Sequence, residues 1–368
     1  DGVWADDLHH QLRRLSAGDT EGYFAAFSGT VADVVTTLRR GWYYEGQDRP
    51  DTSSPRGTPA EGIDPVRFVH CIQNHDQVGN RAFGERLHHQ IPLPLYRAIS
   101  TLLLFSPYTP LVWMGQEWGA SSPFLYFTDH PEELGRLVTE GRREEFGHFA
   151  AFRDEALRET IPDPQSAETY ERSRLVWHER ERPPHAGVLR MYRDLMALRR
   201  NEPALRRTDR RRWRVDALGE AGLTFRREGE TGEPSLLLIV VFQGEIALRP
   251  PFPTHVRAPS GAHWSPVLVS EDLHYGGTGT WGRLEGDGSM QLVGPVAIVP
   301  MRIASIRGTP VATLMADTAG ASGAGAGGGW ALRREYRSTY RDTLVASERL
   351  VGGDWWEGAG GTPPYRIS

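Results

Sequence analysis

Lysine is absent from this sequence, and all 42 of its basic residues are arginine. A run such as Arg210-Arg211-Arg212 would fit a phosphate-binding patch, but the replacement of every lysine by arginine is explained more simply by coding bias. With 47 acidic residues the formal net charge is -5. The charge therefore gives no electrostatic reason to expect nucleic acid or an anionic membrane as a partner.

Cysteine is nearly absent as well, because Cys71 is the only one. A single cysteine excludes an intrachain disulfide framework and a cysteine-based zinc site, and it favours a cytoplasmic location. Long apolar runs are also missing. The longest, such as 102–105 and 236–242, are far shorter than the roughly 20 residues of a membrane span. The sequence begins with Asp rather than Met and shows no secretory signal, which leaves open what lies upstream.

Two short apolar runs in the first third of the chain end abruptly in polar residues. They are Arg67–Ile72 and Leu111–Gly115, the second followed by Gln116 and Glu117. This pattern is typical of a buried parallel strand whose C-terminal end opens onto a site, and residues 93–105 between them predict a helix. Strand, helix and strand is the repeating unit of an α/β barrel.

The remaining pattern predicts three regions along the chain. Helical periodicity covers 23–38 and 185–200, whereas 48–65 is a predicted loop and 120–183 a predicted irregular, charge-rich insertion. Beyond residue 207, short strand-like runs alternate with Gly, Pro and Ser turns, which is typical of an antiparallel β-domain. We therefore expect a barrel-type domain at 1–206, a β-domain at 207–306, and a Gly/Ala-rich linker and tail of unknown role at 307–368.

Asp76 is the candidate catalytic group that the strand pattern singles out. A carboxylate at the C-terminal end of a barrel strand points into the mouth where the loops converge. Its neighbours Asn74, His75 and Gln77 offer the neutral donors and acceptors that sugar hydroxyls need. An alternative fits the pattern equally well, namely that Asp76 caps the next helix and His75 is a satisfied core residue.

Hydrolysis of a glycosidic bond needs two carboxylates around that bond, about 5 to 9 Å apart. The other acids near strand ends are Asp6, Asp7 and Glu117. Asp6-Asp7 with His9-His10 resembles a metal site superficially, but a hydrogen-bonding loop is the better interpretation, because metals take ligands from several elements. No metal and no other cofactor is expected. For Glu117 we favour a structural role, in which it accepts backbone N–H groups and anchors a loop.

A set of longer motifs resembles one family of sugar-cleaving enzymes. The motifs are Trp4-Ala-Asp-Asp-Leu-His-His10, Gly22-Tyr23-Phe24, Arg40-Gly-Trp-Tyr-Tyr-Glu-Gly-Gln47, Gln73 to Asn80, Gly84-Glu-Arg86, Met114-Gly-Gln-Glu-Trp118, Ser122-Pro-Phe-Leu-Tyr-Phe-Thr-Asp-His130 and Glu140-Gly-Arg-Arg-Glu-Glu-Phe146. Together, over roughly residues 1–306, they are similar to the malto-oligosyltrehalose trehalohydrolases of the α-amylase superfamily. The fold that this resemblance implies is α/β: the C-terminal part of a (β/α)8 TIM barrel, followed by a small antiparallel β-sandwich.

The resemblance also implies an activity and a set of site residues. The activity is hydrolysis of the α-1,4-glucosidic bond next to the terminal trehalose of maltooligosyl trehalose, which releases trehalose. Asp76 becomes the third acid of the superfamily, which stabilises the transition state. The implied substrate-contacting residues are Asp6, Asp7, Leu8, His9 and His10, with Leu8 in place of the more usual Phe, and His75, Asp76, Gln77, Val78, Gly79 and Asn80.

One departure from the family limits what this chain is expected to do. The family's nucleophilic Asp and general-acid Glu lie on strands before the Asp-Asp-x-His-His segment, so we expect them upstream and expect this chain alone to be inactive. Residues 333–344 are faintly similar to a region of ABC-transporter permeases.

Three alternatives to a trehalohydrolase fragment remain open. They are another α-amylase-type enzyme such as a branching enzyme, a non-catalytic α-glucan-binding protein, and an incomplete product that folds poorly because strand edges stay exposed.

Overall fold

A computed structural model describes residues 1–310 apart from positions 51, 53, 231–232, 259–263, 286–288, 303–304 and 307–308. The predicted Gly/Ala linker and the arginine-rich tail lie outside the described residues. Among those that are described, no helix combines the length and the apolar character needed to cross a membrane.

The helices and strands follow one another along the chain with a change of character near residue 207. The helices are α1 (Asp7–Ala17), α2 (Val31–Arg40), α3 (His75–Gly79), α4 (Leu87–Gln90), α5 (Leu93–Phe105), α6 (Glu132–Phe146), α7 (Glu155–Glu159), α8 (Ala167–Ser173), α9 (His185–Asn201) and α10 (Pro203–Arg206). The strands are β1 (Val3–Trp4), β2 (Asp48–Arg49), β3 (Ser54–Pro55), β4 (Phe68–His70), β5 (Thr109–Pro110), β6 (Trp213–Leu218), β7 (Gly222–Arg227), β8 (Leu236–Val241), β9 (Glu245–Leu248), β10 (Trp264–Val269), β11 (Gly282–Leu284), β12 (Met290–Val293), β13 (Val296–Arg302), β14 (Ser305–Ile306) and β15 (Thr309–Pro310).

A three-stranded parallel sheet, in the order β1-β4-β5, forms the first layer. Its central strand β4 confirms the predicted buried strand. The second predicted strand, Leu111–Gly115, is wrong in position, since β5 is Thr109–Pro110. Leu111 N still donates to His70 O at 2.8 Å, but Gly115 then takes a φ of 82°, and the chain turns away from the sheet.

Helix predictions succeeded where the apolar periodicity was long. Helices α5 and α9 confirm the predicted helices at 93–105 and 185–200. The helix predicted at 23–38 is wrong in its first half: α2 begins at Val31, because Thr30 accepts a hydrogen bond from Asp33 N and Gly29 has a φ of 69°. The insertion predicted to be irregular contains α6, α7 and α8.

Two antiparallel sheets follow, as predicted beyond residue 207. One has five strands in the order β10-β13-β8-β7-β6, and the other has three in the order β11-β12-β9. Strand β8 is buried on both faces. Its residues Leu236, Leu238 and Val240 join an apolar cluster with α5 and α9. Its residues Leu237, Ile239 and Val241 join a second cluster with the antiparallel sheet β11-β12-β9. The five-stranded sheet is therefore a middle layer, not one half of a freestanding sandwich.

Buried arginines join the helices to this middle layer. Arg97 on α5 bonds Glu271 Oε1 through Nη2 at 2.5 Å, and both side chains are almost fully buried. Arg227 on β7 donates to Phe105 O at 2.9 Å and to Leu205 O at 3.1 Å, at the ends of α5 and α10. Burial lowers the pKa of Arg227 to about 9. These carbonyls lie at helix ends, where carbonyls lack partners within their own helix, so Arg227 satisfies both ends, whereas Arg97 forms a buried ion pair.

Candidate functional site

Asp76 lies in the first turn of α3, which begins a few residues after β4 ends. Asn74, not Asp76, caps this helix, because its Oδ1 accepts from Asp76 N at 2.9 Å and from Gln77 N at 3.1 Å. The Asp76 side chain is 65% exposed and that of His75 is 47% exposed. Both parts of the alternative interpretation are therefore wrong: Asp76 is not the cap and His75 is not a core residue. The carboxylate is free to meet a ligand.

Aromatic rings from the ends of the neighbouring strands contact His75, the residue beside this carboxylate. His75 Nε2 lies 3.2 Å from Asp76 Oδ1. The His75 ring lies 6.0 Å from Trp4, at the end of β1, and 5.8 Å from Trp113, just beyond β5. All three parallel strands thus deliver a ring or a carboxylate to one edge, as expected for the C-terminal ends of parallel strands.

Asp6 joins the two predicted substrate-contacting segments. Its carboxylate accepts a hydrogen bond from the Gln77 side chain and is repelled by the negative charges of Asp7 and Asp76. Burial is the main cause that raises the pKa of Asp6, the two neighbouring carboxylates raise it further, and the Gln77 bond opposes the shift. The segments at 6–10 and 75–80 therefore meet, and the substrate contacts that the resemblance implies for them stay predictions.

Asp7 has a different environment from Asp6 although the two are adjacent. Its side chain is buried, and Oδ2 accepts from Tyr43 N at 2.7 Å and from Tyr44 N at 3.4 Å. Its Oδ1 lies 3.8 Å from Arg56 Nη2. Asp7 therefore anchors the loop around residues 43–44 to the start of α1, which is the hydrogen-bonding role favoured for this pair of acids.

Leu8 and Val78 are core residues, with side chains 0% and 2% exposed. Gly79 and Asn80 end the short helix α3, and a Cβ added at Gly79 would lie 3.6 Å from the Phe124 ring. That is an ordinary contact distance, so space alone does not require glycine there. The substrate contacts predicted for these four residues stay predictions.

His9 and His10 are both uncharged at neutral pH because burial lowers the pKa of each ring, that of His10 to about 4. His9 Nδ1 lies 2.8 Å from Ile72 O, and His10 stacks on Phe27 at 4.8 Å. Within the described part of the chain, no group of three or more His, Cys, Asp or Glu side chains is placed to hold a metal ion. The predicted hydrogen-bonding loop is wrong for this pair, because both residues lie on α1: His9 contacts the backbone just after β4, and His10 packs among aromatic rings.

Several residues of this site were missed by the sequence reasoning. Trp113 was assigned to a buried strand, although it lies at the edge of the site, and Arg56 gave no signal because it lies in a predicted loop. For Glu117 the favoured backbone-anchoring role is not found at Oε2, which is buried without a hydrogen-bond partner among the described residues. Position at a strand end was the signal for Trp113, but the strand was placed too late in the chain.

Comparisons with known proteins identify relatives of this chain. No protein-family model matches it. Curated proteins named malto-oligosyltrehalose trehalohydrolase are 35–48% identical over about 55% of the chain. The relative from Deinococcus radiodurans is 48% identical over 214 residues, which is 57% of this chain and 35% of that protein. The chain thus spans about a third of the length of the curated relatives that it matches.

Two further matches bear on fold and on the alternatives. A crystal structure from Salmonella typhimurium, of a protein provisionally assigned as an alpha amylase, matches with a TM-score of 0.66 and 29% identity, over 82% of this chain and 47% of that one. A 1,4-alpha-glucan branching enzyme from Xanthomonas campestris is 32% identical over 117 residues, or 30% of this chain and 16% of that protein. Its match is much shorter than those of the trehalohydrolases. The resemblance seen in the motifs is confirmed: over about half its length, this chain is homologous to malto-oligosyltrehalose trehalohydrolases.

Proposed function

We propose that this chain forms part of the active site of a retaining glycosidase that hydrolyses the α-1,4-glucosidic bond next to the terminal trehalose of maltooligosyl trehalose. The product is trehalose, which makes the reaction a step of trehalose biosynthesis. The main support is the exposed carboxylate of Asp76, held just after β4 by the Asn74 cap and lying beside His75, whose ring contacts Trp4 and Trp113. The named relatives give the reaction.

Asp76 acts in this proposal as a transition-state stabiliser. It accepts hydrogen bonds from hydroxyls of the glucosyl unit at the cleaved bond, and these bonds strengthen as that ring distorts toward an oxocarbenium-like geometry. Gln77 and His75 add donors and acceptors beside it, and Asp6 holds Gln77 in place. The three parallel strands are, on this view, the C-terminal part of a (β/α)8 barrel, and the antiparallel sheets are the β-domain that follows it.

The nucleophile and the general acid come, in this proposal, from the part of the relatives that this chain does not match. The chain alone is then inactive, because glycoside hydrolysis needs both groups within a few ångströms of the bond. The proposed site uses no cofactor and takes maltooligosyl trehalose or a related α-glucan. A cytoplasmic location stays a prediction from the single cysteine.

The test joins the unmatched part of the Deinococcus radiodurans relative to this chain and measures trehalose release from maltooligosyl trehalose. We expect activity from the fusion and none from the chain alone. Asp76→Asn in the fusion should lower kcat by about a hundredfold or more, because its charge acts mainly in the transition state. Asp48→Asn, at an exposed position on β2, is the matched control and should leave kcat unchanged. Trehalose release by the chain alone, or full activity of Asp76→Asn, would contradict the proposal.

A branching activity is the second candidate, favoured by the shorter match to a branching enzyme. Product analysis separates the two, using the same fusion with plain maltodextrin. A trehalohydrolase releases trehalose from maltooligosyl trehalose and makes no new branch points, whereas a branching enzyme introduces α-1,6 linkages into maltodextrin. Branch points without trehalose would replace the first candidate with the second.

A further inference from the structure

Gln116 begins the short turn Gln116–Trp118, which follows β5 in the chain, and it is fully buried. It bonds both backbone groups of Trp113. Gln116 N donates to Trp113 O at 2.8 Å, and Gln116 Oε1 accepts from Trp113 N at 3.2 Å. One glutamine therefore closes this turn twice, through its backbone and through its side chain, and it restrains the backbone at Trp113.

Gly115 lets the chain make this tight turn. Its φ of 82° lies in the left-handed region that favours glycine. A Cβ added at this position would lie 2.7 Å from Leu175 Cδ2 and 2.8 Å from Ala120 Cβ, so the space beside the turn is already filled. The turn is therefore packed on its outer side as well as hydrogen-bonded across its two ends.

The other half of the Gln116 side chain joins the turn to two helices. Gln116 Nε2 donates to the Tyr192 hydroxyl on α9 at 3.0 Å, and that hydroxyl donates to Ser100 Oγ on α5 at 2.9 Å. Tyr96, also on α5, donates to Gln116 O at 2.5 Å. We call these four residues, Tyr96, Ser100, Gln116 and Tyr192, the Gln116 network, and none of them is more than 3% exposed.

Burial makes the Gln116 network a rigid support. It raises the pKa of Tyr96 and of Tyr192, so both hydroxyls stay protonated at neutral pH. A buried network whose members bond one another holds one arrangement, whereas the loss of one member leaves a buried polar group without a partner. Tyr192→Phe, for example, removes the acceptor of Gln116 Nε2.

Trp113 and His75 connect the Gln116 network to Asp76. The Trp113 ring lies 5.8 Å from the His75 ring, which Trp4 also contacts at 6.0 Å. His75 Nε2 lies 3.2 Å from Asp76 Oδ1, and the His75 side chain is 47% exposed. A displacement of Trp113 therefore changes the packing of the ring that lies beside the Asp76 carboxylate.

We propose that Gln116 is a positioning residue, which through Trp113 holds the His75 ring beside the Asp76 carboxylate. The inference adds a residue to the proposed function and rests on that function for any effect on catalysis. Gln116 is buried behind Trp113, so it acts on the site through other residues. Its loss should lower kcat and leave KM nearly unchanged, because the orientation of Asp76 matters mainly in the transition state.

The first measurement follows the His75 ring by NMR in the full 368-residue chain, with isotope-labelled histidine. The His75 signal is assigned with His75→Gln. The ring current of Trp113 contributes to the chemical shift of His75, so a displaced Trp113 moves this signal. We expect the signal to move in Gln116→Ala and in Tyr192→Phe.

Tyr275→Phe is the matched control for Tyr192→Phe. The Tyr275 hydroxyl also bonds α9, since it donates to Asp194 Oδ2 at 2.8 Å, but it lies outside the Gln116 network. The two substitutions are thus identical in type and remove a hydroxyl from the same helix. Tyr275→Phe should leave the His75 signal where it is in the parent.

The second measurement determines kcat and KM for trehalose release by the fusion. Gln116→Ala and Tyr192→Phe should each lower kcat by about tenfold with little change in KM, and Tyr275→Phe should keep the kcat of the parent. Rates are normalised to the folded fraction found by thermal unfolding, so that a loss of stability is not counted as a loss of catalysis. Tyr192→Phe decides the outcome if Gln116→Ala does not fold.

The outcomes separate this inference from the proposed function. A His75 signal that moves in neither folded variant overturns the inference and leaves the proposed function standing. Parent kcat in both variants, when Asp76→Asn is impaired, also overturns it. If the His75 signal moves as expected but Asp76→Asn has no effect in the fusion, Gln116 still positions His75 and the proposed function fails.

Discussion

The parallel sheet of this chain positions the candidate site, whereas the antiparallel sheets supply most of the backbone hydrogen bonds between strands. Strands β1, β4 and β5 have two or three residues each, whereas β6, β7, β8 and β10 have six. Asp76, Asp6 and the tryptophans that contact His75 lie at the ends of the short parallel strands, but these strands supply few ladder hydrogen bonds. The long antiparallel strands supply many, and the residues proposed for the chemistry lie elsewhere.

A single apolar cluster connects these two regions. It contains residues of α1, α2, α5 and α9, which cover the parallel sheet, together with Leu223, Leu238 and Val299 from the antiparallel sheet. The buried pair Arg97–Glu271 crosses the same boundary. The geometry of the site therefore depends on a sheet that is distant in sequence, since the parallel strands are too short to hold the helices alone.

The largest expected loss of stability comes from two substitutions on β8, Leu238→Ala and Leu237→Ala. The two leucines are adjacent and fully buried, but Leu238 faces the helices, whereas Leu237 faces the antiparallel sheet β11-β12-β9. Each substitution should lower the free energy of unfolding by about 2 to 5 kcal/mol, because it leaves a cavity in a packed core. Urea denaturation followed by tryptophan fluorescence measures both.

The same pair of variants tests whether the helix-facing cluster controls the site. Hydrogen exchange of α5 and of residues 71–80 should speed up in Leu238→Ala and stay near that of the parent in Leu237→Ala. Equal changes at residues 71–80 in both variants would mean that the two clusters respond as one. The two faces of β8 would then not belong to separately responding clusters.

Acid should weaken the parallel sheet through His70 on β4. Its Nε2 lies 2.7 Å from Gly41 O, and its Nδ1 is buried without a partner among the described residues. A charged ring would place a proton on that nitrogen, and burial accordingly lowers the pKa of His70 to about 4. The unfolded chain, with a pKa near the usual 6.5, binds the proton first, so stability falls as the pH drops from about 6.5 to about 4.

The size of this effect at pH 5 is on the order of 2 kcal/mol from His70 alone. Urea midpoints measured between pH 7.5 and pH 5 should show a shallower decline for His70→Phe than for the parent. His130→Phe, which removes an exposed histidine outside the sheet, is the control and should keep the parent's slope. Identical slopes for His70→Phe and the parent would show that His70 does not couple the sheet to pH.

Sequence pattern predicted the elements that are governed by long apolar periodicity. Helices α5 and α9 and strand β4, the centre of the parallel sheet, were found, because burial on one or both faces produces a regular pattern of apolar residues. Strand β5 was misplaced, since the run Leu111–Gly115 is apolar for a reason that is not strand formation: Trp113 contacts His75 beside the site, and Met114 lines a cavity. The middle-layer position of the five-stranded sheet was missed, because β8 is equally apolar on both faces.

For the candidate site, the resemblance implied that the segments 6–10 and 75–80 contact one substrate, but not what each side chain does. Asp6 and Asp7 are adjacent in the chain, yet one faces Gln77 and the other bonds the loop at Tyr43. The choice depends on where α1 begins relative to β1, and sequence alone does not set that to within one residue. Residues from distant loops, such as Arg56, were invisible because nothing near them in the sequence is periodic.

Asn74→Ala gives the smallest expected effect and tests how the parallel sheet presents its carboxylate. It removes the acceptor of Asp76 N and Gln77 N and should lower the free energy of unfolding by about 1 kcal/mol, the usual cost of a lost helix cap. Because α3 has only five residues, the larger consequence should be local, with weaker glucan binding at Asp76 in calorimetry. Asn74→Ser, which keeps an acceptor oxygen, should restore most of both. If Asn74→Ala binds glucan like the parent, the position of Asp76 is set by packing of Val78 and not by the cap.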